Sequence, residues 1–235
     1  MKINIYKNSL WSSNTSKLIA GYLKNLKLKK INILLTGGKT ASKLYNYFFP
    51  ILIKINKSFS TYLSDERCVD YNNINSNFHL VSKKINNFKN SNISIFSILN
   101  KDKNYLKATN DYKKKIPKKI DLLLLSVGKD GHVASIFERD KKIHNTKQKV
   151  VFIKKKYNKF PRITITWETI KLAKKIFILC KGYGRGKILF LSIMKKNHIL
   201  NKICLLKSKT ELCFDKSAYL SFSKTSQKLL ILKKI

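Results

Sequence analysis

The segment with the most evident chemistry is Gly128-Lys129-Asp130-Gly131-His132-Val133-Ala134-Ser135-Ile136-Phe137. A histidine near an aspartate, on a turn bounded by glycines, has the parts of a general acid or base. Imidazole titrates near neutral pH, and a carboxylate on one ring nitrogen fixes its tautomer. A lone histidine is more often a packing residue, but this one sits in an Asp-Gly-His turn behind an apolar strand. His79, His144 and His198 have no such setting and read as surface or packing residues. His132 and Asp130 are therefore the catalytic candidates.

The candidates for binding are marked by residue types the chain otherwise lacks. Seven of its eight glycines fall in three groups: Gly37-Gly38, Gly128 with Gly131, and Gly182, Gly184 and Gly186. Each group follows a strand-like run, where glycine permits a tight turn or a close approach of backbone N–H to a ligand. The loop Thr36-Gly37-Gly38-Lys39-Thr40-Ala41-Ser42 opens a helix, whose first amides, with the Thr40 hydroxyl and the Lys39 ammonium, suit a phosphate. It matches neither a Walker A loop nor a GxGxxG fingerprint, so it implies no nucleotide by itself. Three of the four arginines lie in comparable places: Arg67 in Ser64-Asp65-Glu66-Arg67, Arg162 in Pro161-Arg162-Ile163-Thr164, and Arg185 in Gly182-Tyr183-Gly184-Arg185. Asp65-Glu66-Arg67 alone reads equally well as a surface ion pair or helix cap. With 46 lysines available for generic charge, however, retained arginine points to forked recognition of an anion. Gly37, Gly38, Lys39, Thr40, Asp65, Arg67, Arg162 and Arg185 form the candidate binding set.

Positioning these residues calls for alternating strands and helices. Strand-like runs occur at 2–6, 31–36, 59–64, 92–97, 120–127, 150–153, 163–166, 176–180 and 203–206. Helical spacing occurs over Leu18 to Leu26, with Ser12, Ser13 and Asn14 as its caps, and near 39–49, 76–87, 104–115, 167–174 and 186–197. The run Ile120 to Val127 is apolar on both faces, as a central parallel strand covered on both sides must be. The pattern predicts an α/β fold, a mostly parallel, Rossmann-like doubly wound sheet with helices on both faces. Neither an internal repeat nor a Pro- or Gly/Ser-rich linker divides residues 1–235, which read as one domain. In such sheets ligands bind at the C-terminal strand ends, where all three glycine groups fall.

The chain has 235 residues and a formal net charge of +38. Lysines neutralise phosphates, so a polyanion or nucleic-acid binder is one reading. The composition favours another. Lys (46), Ile (29) and Asn (22), with AT-rich codons, make up 97 residues, whereas Ala, Gly, Pro and Arg, with GC-rich codons, total 21. Drift in an AT-rich genome produces that bias without a partner. The densest lysine runs, Lys113–Lys115 and Lys154–Lys156, read as solvated loops or strand ends. The four cysteines form no CxxC pair, so reduced thiols are expected rather than zinc ligands or disulfides. No apolar run has the length of a membrane span, and the expected location is the cytoplasm.

Taken in order, these segments resemble the 6-phosphogluconolactonase family, whose fold is shared with glucosamine-6-phosphate deaminases and isomerases. The family's Ser-Gly-Gly-Ser-Thr-Pro loop is similar to Thr36–Ala41, its Asp-Glu-Arg to Asp65–Arg67, and its Ser-Asn-Tyr to Ser76-Asn77-Phe78. Its Gly-x-Asp-Gly-His-Thr-Ala-Ser-Leu-Phe signature resembles Gly128–Phe137, its Pro-x-Arg-x-Thr strand Pro161–Thr166, and its late Asp-x-x-Ala Asp215–Ala218. Lys39 and Ala41 replace the usual Ser and Pro of the first loop, and Arg185 replaces a Lys. The resemblance implies a hydrolase of 6-phospho-D-glucono-1,5-lactone in the oxidative pentose phosphate pathway, needing no cofactor and no metal. It implies a phosphorylated sugar lactone as partner, neither specific nucleic acid nor membrane, and a monomer or weak homodimer. In the deaminases a Phe-Asn-Glu-Pro follows the His-x-Ala and its Glu assists ring opening; here Phe137 stands at that Glu. Three readings compete with the lactonase: a sugar-phosphate isomerase or deaminase, an inactive family member, and, from another class, a polyanion binder.

Overall fold

A computed structural model describes residues 1–88, 92–100, 102–154 and 159–232. The chain runs β1 (Lys2–Tyr6), α1 (Trp11–Asn25), β2 (Lys30–Leu35), α2 (Gly38–Leu52), β3 (Ser58–Leu63), β4 (Asp65–Arg67), α3 (Asn77–Ile85), β5 (Ile93–Phe96) and α4 (Tyr105–Lys115). It continues through β6 (Leu122–Ser126), α5 (Lys141–Asn145), β7 (Val150–Ile153), β8 (Arg162–Ile165), α6 (Trp167–Ile170) and β9 (Ile176–Cys180). It ends with α7 (Tyr183–Met194), α8 (Ile199–Leu205), β10 (Thr210–Asp215) and α9 (Lys216–Leu232).

Seven strands form a parallel sheet in the order β1-β10-β9-β6-β2-β3-β5. Leu122 to Leu125 of β6 are all 0% exposed, so consecutive side chains are covered on both faces of the sheet, as their unbroken apolar run predicts. From β2 the chain moves outward to β3 and β5, then returns to the other side of β2 for β6, β9 and β10. The crevice at the C-terminal ends of β2 and β6 is thus the topological switch point, the place where open α/β sheets bind ligands. Gly37-Gly38 leave one of these strands and Gly128–Gly131 the other.

A second sheet, antiparallel and ordered β4-β8-β7, was not foreseen from the sequence. The runs at 150–153 and 163–166 are strands as expected, but they pair with Asp65–Arg67. Those three residues, too short and polar for a periodicity signal, align with Thr164, Ile163 and Arg162. The buried Tyr112 pins the departure point: its hydroxyl accepts from Leu63 N at 2.9 Å and donates to Leu63 O at 2.7 Å, where the chain leaves the large sheet.

Several local expectations change. The run at 203–206 lies at the end of α8, and the last parallel strand is instead β10, whose Thr210–Asp215 is buried throughout. Helix α1 starts at Trp11, ahead of Ser12–Asn14, because the fully buried Trp11 anchors its first turn through Nε1 to Cys213 O. Lys113–Lys115 form the last turn of α4, where cations suit the carbonyl end of the helix. Lys154 follows β7, while Lys155 and Lys156 lie outside the described residues. Of the third glycine group, Gly182 makes a turn with φ +96°, but Gly184 and Gly186 are helical residues of α7. Among the described residues, no helix is long and apolar enough to cross a membrane.

Helix α7 packs closely on α9, and Gly186 sets that approach, since a Cβ there would overlap the Ala218 carbonyl oxygen. Gly186→Ala should lower stability by roughly 1–3 kcal/mol through overpacking, read from the urea midpoint. Gly184→Ala, with open space around the new methyl, should instead be neutral or gain up to about 1 kcal/mol.

Candidate active site

The signature segment turns sharply after β6. Gly131 N donates to Gly128 O at 3.3 Å and Gly128 N to His132 O at 2.8 Å, closing a loop that needs φ +85° at Gly131 and φ +51° at Ala134. The His132 ring lies against Gly128 so closely that a side chain at 128 would occupy the ring's place. His132 Nδ1 forms a hydrogen bond with Asp130 Oδ1, and His132 N also donates to that oxygen at 3.3 Å. That hydrogen bond, before any other influence, holds Asp130 at about 2, below the ordinary carboxylate value. The imidazole packs at 4.6 Å between centroids on Phe137, and the Arg162 guanidinium carbon sits 5.6 Å from the centre of the same ring.

Behind these groups lies a buried carboxylate. Ser135 Oγ donates to Asp65 Oδ2 at 2.6 Å, and Arg162 Nη1 lies 3.2 Å from Ser135 Oγ and 3.5 Å from Asp65 Oδ2. Ser135 N donates to Thr164 Oγ1 at 3.1 Å, binding the signature loop to β8. Asn77 Nδ2 donates to Asp65 O at 2.9 Å, and Asn77 in turn packs on Gly37, where no side chain fits. Asp65 therefore sits behind the arginine that would meet an anion, and its own carboxylate, 5% exposed, faces donors within the protein. Burial pulls Arg162 below the usual guanidinium value, and the Asp65 charge pulls it back.

Glu66 is buried completely. It accepts from Arg67 N at 2.7 Å, Asn77 N at 2.7 Å, Phe78 N at 2.6 Å and Ser76 Oγ at 3.0 Å. Burial pushes it up to about 7 while the three N–H donors draw it down. Its work is local: it fixes the start of α3 and the backbone of Arg67. The Arg67 side chain donates from Nη1 to Asn75 O at 2.6 Å, and the Nε atoms of both Arg67 and Arg162 are buried without a hydrogen-bond partner.

Arg185 enters from α7. Its Nε donates to Val127 O at 3.0 Å and its Nη1 to Lys181 O at 3.1 Å, so the guanidinium is tied to the end of β6, one residue before Gly128. Asp215 sets this turn by accepting from Gly182 N, Ser217 Oγ and Ala218 N. Gly37, Gly38, exposed Lys39 and half-buried Thr40 occupy the turn and first helical residues after β2, with φ +87° at Gly38. His132 pairs with Asp130 and Asp65 with Arg162, and the two pairs meet across the Phe137 ring; Arg67 lies opposite Arg162 in the β4–β8 register, Gly37 reaches Asp65 through Asn77, and Arg185 is tied to Val127 beside the signature loop, while Gly38, Lys39 and Thr40 share only the sheet edge. Ser135, Asn77 and Phe137 belong to the same network, although their residue types carried no chemical signal; each lies inside a segment quoted above for other reasons.

The cysteines are free and buried. Burial pushes Cys68 and Cys204 up to about 12, and Cys180 and Cys213 higher, so none is a thiolate nucleophile at neutral pH. Among the described residues, no group of three or more His, Cys, Asp or Glu is placed to hold a metal ion.

The family model for glucosamine-6-phosphate isomerases/6-phosphogluconolactonase matches residues 9–201. A 6-phosphogluconolactonase from Borreliella burgdorferi is 30% identical over 153 residues, covering 59% of this chain and 64% of that protein. One from Thermotoga maritima is 30% identical over 159 residues, covering 65% and 70%. The match to the first of these relatives thus spans less than two thirds of its length. The crystal structure of the Thermotoga maritima 6-phosphogluconolactonase superposes with a TM-score of 0.76 at 25% identity, covering 92% of this chain and 99% of that one. A Shewanella baltica 6-phosphogluconolactonase shares the fold with a TM-score of 0.78 at 19% identity, over 92% and 97%.

Because the folded Asp130 value is depressed, the stability it contributes is present above about pH 4 and is lost as pH falls toward 2. His132→Ala should return the Asp130 titration toward about 3.9, read from its side-chain carboxyl carbon shift. A midpoint that stays near the low value would show that something other than the imidazole holds it there.

Proposed function

The chain belongs to the glucosamine-6-phosphate isomerase/6-phosphogluconolactonase family, and from that premise we propose that it hydrolyses 6-phospho-D-glucono-1,5-lactone to 6-phospho-D-gluconate. One observation carries the choice of reaction within the family: Phe137, where the deaminases have their ring-opening glutamate, is an apolar side chain packed on His132 and Arg162. The site offers one acid–base group beside cations. That suffices for hydrolysis and leaves ring opening without its carboxylate.

In the proposed reaction His132 takes a proton from water as the water oxygen bonds to the lactone C1. The tetrahedral intermediate collapses by breaking the bond from C1 to the ring oxygen, and the imidazolium returns the proton to that oxygen. The product acid then ionises. Asp130 holds Nδ1 and stabilises the imidazolium, so it is a positioning residue. Arg67, Arg162 and Arg185, with the Gly37–Thr40 turn, hold the phosphate and orient the carbonyl. Two buried Nε–H groups and a helix N-terminus support that assignment. Lys39 in place of serine adds a cation to this first turn.

The lactone hydrolyses unaided, so the assay must measure acceleration. Coupled to 6-phosphogluconate dehydrogenase, the protein should accelerate lactone hydrolysis and give no ammonia from glucosamine 6-phosphate; the reverse pattern would make it a deaminase. Arg67→Ala should raise KM for the phosphorylated lactone by about tenfold, the worth of one charge-assisted hydrogen bond, and leave D-glucono-1,5-lactone turnover unchanged. Equal losses on both substrates would remove Arg67 from the phosphate site.

A further inference from the structure

His198 reads from the sequence as a surface or packing residue, yet it is 5% exposed and lies behind the turn that carries the catalytic candidates. It ends the tight turn 195–198 between α7 and α8, which is closed by His198 N donating to Lys195 O at 3.1 Å and needs φ +68° at Asn197. Ala134, in the signature loop, is also left-handed. Non-glycine residues persist in that conformation only where the surrounding structure enforces it. The two segments meet at Gly131, the residue between Asp130 and His132: a methyl group there would collide with Ser192 Oγ of α7 and come within 3.6 Å of His198 Nε2. We propose that His198 is a positioning residue whose ring backs Gly131 and so holds Asp130 and His132 in the geometry that proton transfer needs.

The two ring nitrogens do different work. Nδ1 accepts from Leu200 N at 3.1 Å and caps α8, which leaves the proton of the neutral ring on Nε2, the nitrogen beside Gly131. Burial pulls His198 below the usual imidazole value, so the ring is neutral at neutral pH; the titratable groups around it are Glu138, His144, Lys195 and Asp130. Asn201 Nδ2 donates to Ile193 O at 2.6 Å and fixes α8, with its cap, against α7. A second tie joins the same segments, since Glu138, directly after Phe137, pairs with Lys195. That pair is exposed on both sides and holds weakly, so the buried ring is the firmer support.

This role rests on the acid–base function of His132 proposed above, so its test reads the turn both without substrate and with it. Two variants separate the nitrogens. His198→Asn keeps an acceptor for Leu200 N but is too short to reach Gly131, whereas His198→Gln reaches as far as Nε2 and gives up the cap.

His198→Asn should raise the Asp130 titration midpoint from about 2 toward about 3.9, read from its side-chain carboxyl carbon shift, because the bond to His132 slackens. It should also lower kcat for the lactone by about tenfold with KM unchanged, the effect of a small misplacement of the acid–base group. His198→Gln should keep most of the midpoint and kcat and lose stability to urea instead. In the His132→Ala background, His198→Asn should leave Asp130 where that variant already puts it. Gly186→Ala, which loosens α7 against α9 and away from this turn, should leave the midpoint unchanged. A wild-type midpoint in His198→Asn would overturn the role. A larger shift in His198→Gln than in His198→Asn would make His198 a helix cap alone and overturn it equally. A shift in Gly186→Ala as large as in His198→Asn would reduce the effect to general loosening and also overturn it. If wild type fails to accelerate lactone hydrolysis while the midpoints move as expected, the reaction assigned above falls and the positioning role stands.

Discussion

Two adjacent carboxylates, Asp65 and Glu66, are buried where the chain leaves its large sheet, and the rest of the site depends on how they are satisfied. A buried carboxylate costs several kcal/mol unless donors surround it. The donors here come from segments far apart in sequence: Ser76, Asn77 and Phe78 at the start of α3, Ser135 in the signature loop, and Arg162 on β8. Satisfying Asp65 therefore draws Ser135 and Arg162 together, which sets beside that guanidinium the Phe137 ring on which His132 packs. The electrostatic requirement of one residue pair assembles three motifs that no local preference would join.

The topology supplies the space for that assembly. A sheet that grows outward from β2 in two directions leaves a crevice at the ends of β2 and β6, and the glycines stand where the chain turns out of those strands. At Gly128 the absent side chain makes room for the imidazole, and at Gly37 for Asn77. Two of the eight glycines thus stand where a Cβ would collide with residues that build the site. Arginine follows the same logic. Lysine could carry the charge at 67, 162 and 185, but not a planar fork held from two sides, as Arg185 is by Val127 O and Lys181 O.

How much could be read from the sequence follows from what each feature depends on. Six of the seven parallel strands were legible, the central ones because burial on both faces leaves continuous apolar runs, whereas β10, which carries Thr210, Glu211 and Asp215, lacks such a run; the Asp130–His132 pair was legible because its partners are two residues apart. Arg67, Arg162 and Arg185 stood out by scarcity. Strand β4 was not legible: Asp65–Arg67 becomes a strand only by pairing with β8, a contact made across almost a hundred residues. Ser135 and Asn77 were hidden for the same reason, since a buried serine or asparagine matters through partners that only the fold reveals. The run at 203–206 misled because a short apolar stretch fits a buried helix end as well as a strand.

The net charge of +38 attracts anions in general and selects none among them. In the proposed reaction the proton transfers rest on His132, and the most direct measurement is the lactonase rate of His132→Ala against wild type, with circular dichroism to confirm that both are folded. A fall in kcat of about 10²–10⁴-fold with an unchanged spectrum is what a general acid–base role predicts. A folded variant that accelerates hydrolysis as well as wild type would contradict it.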